Sequence, residues 1–458
     1  MSRKENIVFL LLGTFILSIV GLYNGYPLVT SDTGTYIYSG FENVIPLDRP
    51  IVYGFLIRHL SLEYSLWFVV FFQNLLMAFV LLETLKIFIS NLLKLKQAYV
   101  ILLLGLTLFT GISWYTNQLM PDFFAPILLL SIYILFRNKN LSKWKQAVFY
   151  GLILLSCLVH FSHMLIGMLL LVFLMLTNKK WEFKRRRGVY MFVVMLSVFI
   201  LLPSINYLVE KKFIMGKASH VFLMAHLADN GILDRFLQEN CEDVEFKNCS
   251  LCEMKDSLPM DLSGFLWTSD VVMKSGGWEG SKEEYDKIIN ATLTRPKYLA
   301  ANVFKSFSAG IQQLFRVGIG QGVSHMGEDS PPYGQIQKHM PKELANFRNG
   351  KQNQWQGMAL KIEYVNLLHK LLIIACLFLL LALRFSVLWY KLDKQSRNFV
   401  AFVLLAILIN SLVTGGLNAP NERFHARVVW MFPLSMLLML GSNFKLIYSH
   451  VSDKLKKA

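Results

Sequence analysis

Two aspartates, two histidines and two arginines stand in short polar segments between long apolar blocks, and their chemistry poses the first question. Asp32 lies in Ser31-Asp32-Thr33-Gly34-Thr35-Tyr36, shortly after the first apolar block. A carboxylate held there can take a proton from a hydroxyl beside the membrane; it can equally cap a short helix beginning at Thr33. Asp122 follows Pro121 in the next polar segment on the same side. It fits a helix cap, or a second carboxylate facing Asp32, the two dividing acid and base roles or sharing a divalent cation. His160 and His163 are three residues apart, so on a helix both can look into one cavity. Histidines at a membrane edge also serve simply to meet the interface. Arg423 and Arg427 are four apart and share a helix face, where planar guanidinium forks suit a phosphate. An ion pair with Glu422, or contact with lipid headgroups, accounts for them as well. Tyr36, Arg49, Arg58 and His425 complete the candidate substrate-binding set.

The elements that must position these residues are apolar. Of 458 residues, 54% are hydrophobic and 17% charged, against about 25% charged in soluble domains. Several apolar runs approach the roughly 20 residues that a helix needs to cross a bilayer. They do not alternate apolar with polar, which excludes barrel strands and leaves helices. The expected fold is an all-α polytopic membrane protein with about ten transmembrane helices and a mostly helical outer-face domain. Spans are expected near 7–23, 66–85, 98–112, 123–136, 147–159, 164–177, 189–208, 368–388, 398–415 and 428–447. Arg3 and Lys4 precede the first block as in a signal peptide. The block is long for such a segment and no Ala-x-Ala site follows, so it reads as a retained span. Three parts result: 1–208 with spans one to seven and a first outer loop at 24–65, an outer domain at 209–367, and 368–458 with spans eight to ten. Spans five and six meet at His160-Phe161-Ser162-His163 and fit either two tilted helices or one broken helix.

The net charge of +16 is spread over short loops rather than over a basic and aromatic groove, which gives nucleic acid no binding surface. Alternating the spans places Arg3 and Lys4, then Lys86, Lys94 and Lys96, then Arg137, Lys139, Lys143 and Lys145 on one side. The same side takes Lys179, Lys180, Lys184 and Arg185 to Arg187, Lys391, Lys394 and Arg397, and Lys445, Lys454, Lys456 and Lys457. The short loops opposite hold only Arg49, Arg58, Arg423 and Arg427. Cytoplasmic loops collect Lys and Arg, so both termini are expected in the cytoplasm of a bacterial inner-membrane protein.

The stretch 209–367 is too long for a plain loop. Helical spacing marks 222–238 and 298–315. In the second, Leu299, Val303, Phe307 and Ile311 form a stripe flanked by Arg295, Lys297, Lys305 and Arg316. Such a helix lies in the membrane interface or packs on its own domain. Gly276-Gly277-Trp278 and Ser330-Pro331-Pro332 read as turns, and the polar stretch 327–355 as a mobile loop. Cys157 and Cys376 fall in spans. Cys241, Cys249 and Cys252 face an oxidising compartment, where one disulfide is expected from Cys241 to either Cys249 or Cys252.

This layout resembles the GT-C superfamily of membrane glycosyltransferases, which includes the protein O-mannosyltransferases and the lipid A aminoarabinose transferase. The likeness lies in a first span, a long outward loop with an early acid (Asp32), and a second acid in the next outward loop (Asp122 in Met120-Pro121-Asp122). Many spans and a late outer domain complete it. The resemblance implies a GT-C-like fold and a sugar donor carried on polyprenyl phosphate within the membrane lipid. It further implies Asp32 as base, Arg423 and Arg427 as phosphate clamps, and a glycan, lipid or protein acceptor on the outer face. The adjacent acidic pair common in that first loop is absent, since Thr33 follows Asp32, and this leaves the divalent cation open. Phe265-Leu266-Trp267 and Gly276-Gly277-Trp278 match no soluble domain. The alternatives are a transporter or flippase of a lipid-linked glycan and a non-catalytic scaffold. Span interiors nearly free of acids favour surface chemistry over alternating access.

Overall fold

The computed structural model describes residues 2–177, 181, 185–354 and 358–455. Lys179, Lys180, Lys184, Trp355, Lys456 and Lys457 of the expectations above lie outside the described residues. Described regular structure is helical throughout, and one isolated bridge between Leu28 and Gln118 joins the first two outer loops.

Six described helices are long and apolar enough to cross a membrane: Trp67–Phe88, Leu92–Phe109, Arg185–Glu210, Ile362–Arg384, Lys394–Leu417 and Glu422–Ser442. They make the chain an integral membrane protein, and each falls on an expected span. The other four expected spans are shorter helices. The first is Arg3–Leu17 followed by Ile19–Asn24, with Ser18 between them. Phe124–Arg137, Lys143–Val159 and Phe161–Leu176 have 14, 17 and 16 residues. At 1.5 Å per residue these three reach about 21–26 Å, short of a ~30 Å hydrocarbon layer. His160, in extended conformation, separates Lys143–Val159 from Phe161–Leu176, so this stretch is two helices. Span Ile362–Arg384 leaves Leu371, Ile374, Phe378 and Leu381 exposed, as a lipid-facing helix does.

The region between the spans Arg185–Glu210 and Ile362–Arg384, expected as the outer domain, has its own core. Leu233, Phe236, Tyr285, Ile288 and Tyr298 meet at its centre, drawn from Ile232–Asn240, Lys282–Thr294 and Pro296–Gln313. Cys241 is bonded to Cys252 across a Cα separation of 5.6 Å, while Cys249 is a buried free thiol. Helix Pro296–Gln313 also packs along the span Lys394–Leu417. There Gly310 lies against Leu412, and Gly415 and Gly416 against Ala309 and Ser306, so side chains would hold the two backbones apart. Its Val303, Phe304 and Phe307 remain exposed.

Of the segment expected as a mobile loop at 327–355, the described residues 327–354 are instead ordered. It forms Pro331–His339, Pro341–Glu343 and Leu344–Asn349, and the first of these packs on the first-loop helix Ser31–Glu42. Buried polar groups hold it. Glu343 accepts hydrogen bonds from Tyr26 Oη (2.8 Å), Ser65 Oγ (2.5 Å) and the Leu66 amide (3.1 Å). Gln352 accepts from the Val29 amide (3.1 Å) and donates to the Val29 carbonyl (2.7 Å). Pro331 sits directly on Gly34, where any side chain would meet it. Polarity here serves long-range bonding rather than solvation.

Candidate functional site

The helix Ser31–Glu42 begins two residues earlier than a cap at Asp32 requires. Thr30 is its N-cap, and Thr33 Oγ1 accepts from the Thr30 amide (2.9 Å). Asp32 is thereby free of capping and sits in the first turn, where the helix dipole favours an anion. Its Oδ1 accepts from Arg49 Nη2 (3.1 Å) and its Oδ2 from Arg423 Nη1 (2.9 Å). Arg49 is itself fixed by Asp48 and lies 5.0 Å over the Tyr36 ring. Tyr36 meets Tyr53 edge-on at 4.9 Å; Tyr53 Oη donates to Gln73 Oε1 (2.6 Å), and Gln73 Nε2 donates to the Gln118 carbonyl (2.8 Å). The first and second outer loops are thus one bonded unit.

Asp122 makes no capping bond. Fully buried, it accepts from Arg427 Nη1 (3.2 Å), also fully buried, and lies 3.7 Å from Arg423 Nε. Arg427 Nη2 reaches Ser162 Oγ and Asn410 Oδ1, each at 3.4 Å. The Ser162 hydroxyl lies 2.9 Å from His160 Nδ1, and the His160 ring stacks on His163 at 4.7 Å. Arg423 therefore bridges both acids, and four polar segments, at residues 31–49, 120–123, 160–163 and 421–427, meet around it. Of the candidates, Asp32, Tyr36, Arg49, Asp122, His160, His163, Arg423 and Arg427 come together.

Two candidates do not join them. Arg58 bonds Asn43 Oδ1 (3.1 Å) and pairs with Glu63 at the loop surface. His425 turns away from the acids and is buried against Ser411 Oγ (2.7 Å). Helical spacing explains this, because residue 425 falls between Arg423 and Arg427 on the opposite face.

Beside Asp32 opens a cleft of about 630 Å³, lined in part by Thr35, Tyr38, Arg49, Lys217 and Trp267. Lys217 and Trp267 come from the outer domain and escaped the sequence reading. Lys217 pairs with Glu210 (2.8 Å), Glu210 accepts from the Ile45 amide (2.7 Å), and the Ala218 amide donates to the Leu47 carbonyl (3.2 Å). These bonds fasten the domain to the Asp32 loop. Burial alone would raise the Asp32 carboxyl, but Arg49 and Arg423 outweigh it and hold the group below its ordinary value.

The residues fit a divalent cation poorly. Among the described residues no three His, Cys, Asp or Glu side chains converge as a ligand set. The position between Asp32 and Asp122 is taken by the Arg423 guanidinium. Comparison with protein-family models, curated proteins and solved structures finds no match. What the site can do follows from its two tiers. The sealed Asp122–Arg427 pair lies beside Arg423, and the second tier sets the Asp32 carboxylate and the Arg49 guanidinium in the cleft wall with Arg423 bonded to the same carboxylate, two planar forks of the kind that suits a phosphate.

Proposed function

We propose that this chain is a GT-C-like glycosyltransferase, moving a sugar from a polyprenyl-phosphate donor to an acceptor on the outer face of a bacterial inner membrane. In this reading the four shorter helices complete ten crossings. Phe124–Arg137 is enclosed by the bundle, so it need not match the bilayer thickness. Both termini lie in the cytoplasm, and the Cys241–Cys252 bond fits an outer domain in an oxidising compartment.

One observation carries the reading: Asp32 shares its carboxylate between Arg49 and Arg423 at the edge of an open cleft. Held this way the carboxylate is ionised but a weak base. A donor phosphate competes for the same two guanidinium groups. As they turn to the phosphate, the hold on Asp32 relaxes and its basicity rises toward the range useful for proton transfer. Asp32 then takes the acceptor hydroxyl proton while the acceptor oxygen bonds to the anomeric carbon. The bond from that carbon to the phosphate oxygen breaks, and its electron pair leaves with the polyprenyl phosphate, stabilised by Arg49 and Arg423.

The test is transfer in vesicles containing the full chain, a polyprenyl-phosphate donor with a radiolabelled sugar, and pooled envelope acceptors. Asp32→Asn is expected to lower transfer by about 100-fold or more. Wild-type transfer by that variant removes Asp32 as the base and the reading with it.

A further inference from the structure

The outer domain presents an indole to the same cleft. Gly264–Thr268 forms a π-helical turn, a geometry concentrated at functional sites, and it carries Trp267 with 56% of the residue exposed. Behind it stand Phe222 and Trp278, with ring centroids 6.2 and 5.4 Å from that of Trp267. Trp278 follows Gly276 and Gly277, whose φ angles of 100° and 79° suit glycine and little else. Lys212 bonds the next residue, Glu279 (3.2 Å). The same cleft is lined by Ser31, Thr35 and Tyr38 together with Asp48, Arg49 and Lys217.

An exposed flat ring sharing one cleft with hydroxyl, carboxylate and ammonium groups matches a pyranose, which has an apolar C–H face and a polar rim. A fatty chain would leave the polar wall unused, and a bare phosphate would leave the indole unused. The lipid donor arrives from the bilayer, whereas Trp267 is carried by the domain beyond it. We infer that Trp267 is the stacking platform for an uncharged sugar ring of the acceptor, so that the acceptor is a glycan. The assignment of that sugar as acceptor rests on the transfer reading above; the platform itself is tested by binding alone.

The experiment uses the full chain in phosphatidylcholine nanodiscs with four neutral probes: maltotetraose, mannotetraose, cellotetraose and chitotetraose. Saturation-transfer NMR reads contact between protein and the ring C–H protons. At least one probe is expected to receive saturation, and Trp267→Ala to weaken its binding tenfold or more. Trp267→Phe keeps a flat face and is expected to retain most of the binding, whereas Trp267→Leu keeps apolar volume without the face and is expected to lose it. The Leu variant decides the matter if the Ala variant fails to fold. No saturation of any probe, or wild-type binding by Trp267→Leu, overturns the platform. Sugar binding at Trp267 combined with full transfer by Asp32→Asn would leave the platform standing and remove the transfer chemistry. Loss of transfer by Asp32→Asn with no sugar binding would remove the platform alone.

Discussion

Asp122 and Arg427 form an ion pair with neither side chain exposed, and breaking it from either end should be costly in an unequal way. Removing one member of a buried pair typically costs about 3–5 kcal/mol, because the survivor is left charged and dry. In Arg427→Gln, Asp122 still has Arg423 Nε at 3.7 Å, which places this variant toward the lower end of that range. In Asp122→Asn, Arg427 is left with the neutral Ser162 and Asn410 at 3.4 Å and with the like charge of Arg423 nearby, which places it toward the upper end. The double variant carries no stranded charge at this pair and should lose no more than Asp122→Asn alone, about 5 kcal/mol against an additive sum of about 8, a coupling of about 3 kcal/mol. Reversible unfolding of the purified full chain in mixed micelles measures all four corners of the cycle. Two single variants within about 0.5 kcal/mol of wild type, as surface changes are, or strictly additive losses, would refute the argument.

Other perturbations are equally direct. Since Asp32 is held below its ordinary value by Arg49 and Arg423, its stabilisation is present above about pH 4 and lost as pH falls through the lowered folded value. The stability difference between wild type and Asp32→Asn should therefore stay constant from about pH 8 to pH 5 and shrink below pH 4 in a thermal-melt series. Glu343→Ala leaves Tyr26, Ser65 and the Leu66 amide without their shared acceptor. It should cost about 1–3 kcal/mol and open residues 331–349 to limited proteolysis. Reducing Cys241–Cys252, which closes a loop with a sequence separation of 11, should cost about 3 kcal/mol. Mass spectrometry after alkylation in denaturant should count three modified cysteines without reductant, Cys157, Cys249 and Cys376.

What could be read from the sequence divides along a physical line. Apolar length and helical period are local, and they located the six long spans and the helix Pro296–Gln313, while the stretch 222–238 is divided at Gly231 and the core helix Lys282–Thr294 gave too weak a period to be read. Four of the expected spans are shorter helices, and hydropathy alone does not register the break at Ser18 that divides the first of them. Partners in the site are not local. Asp32 was weighed as a cap because its arginines lie at positions 49 and 423, while the true cap, Thr30 with Thr33, was a better local signal left unused. The stretch 327–355 reads as a loop because its polar groups look solvated until Tyr26 and Val29 are brought beside Glu343 and Gln352. Arg58 and His425 shared a loop with the site residues but not a facing direction. Lys217 carries no pattern at all; its role emerges only from the bonds that pin the domain to residues 45–47.

The Arg423 clasp on Asp32 closes a separation of 391 residues, and the Glu343 clasp on Tyr26 one of 317. A ribosome therefore delivers the acid and Arg49 early, and the second counter-ion, Arg423, only as the final spans emerge. Until then the nascent polypeptide holds Asp32 with one of its two guanidinium groups. Completion of the Asp32 cluster is thereby tied to completion of membrane insertion.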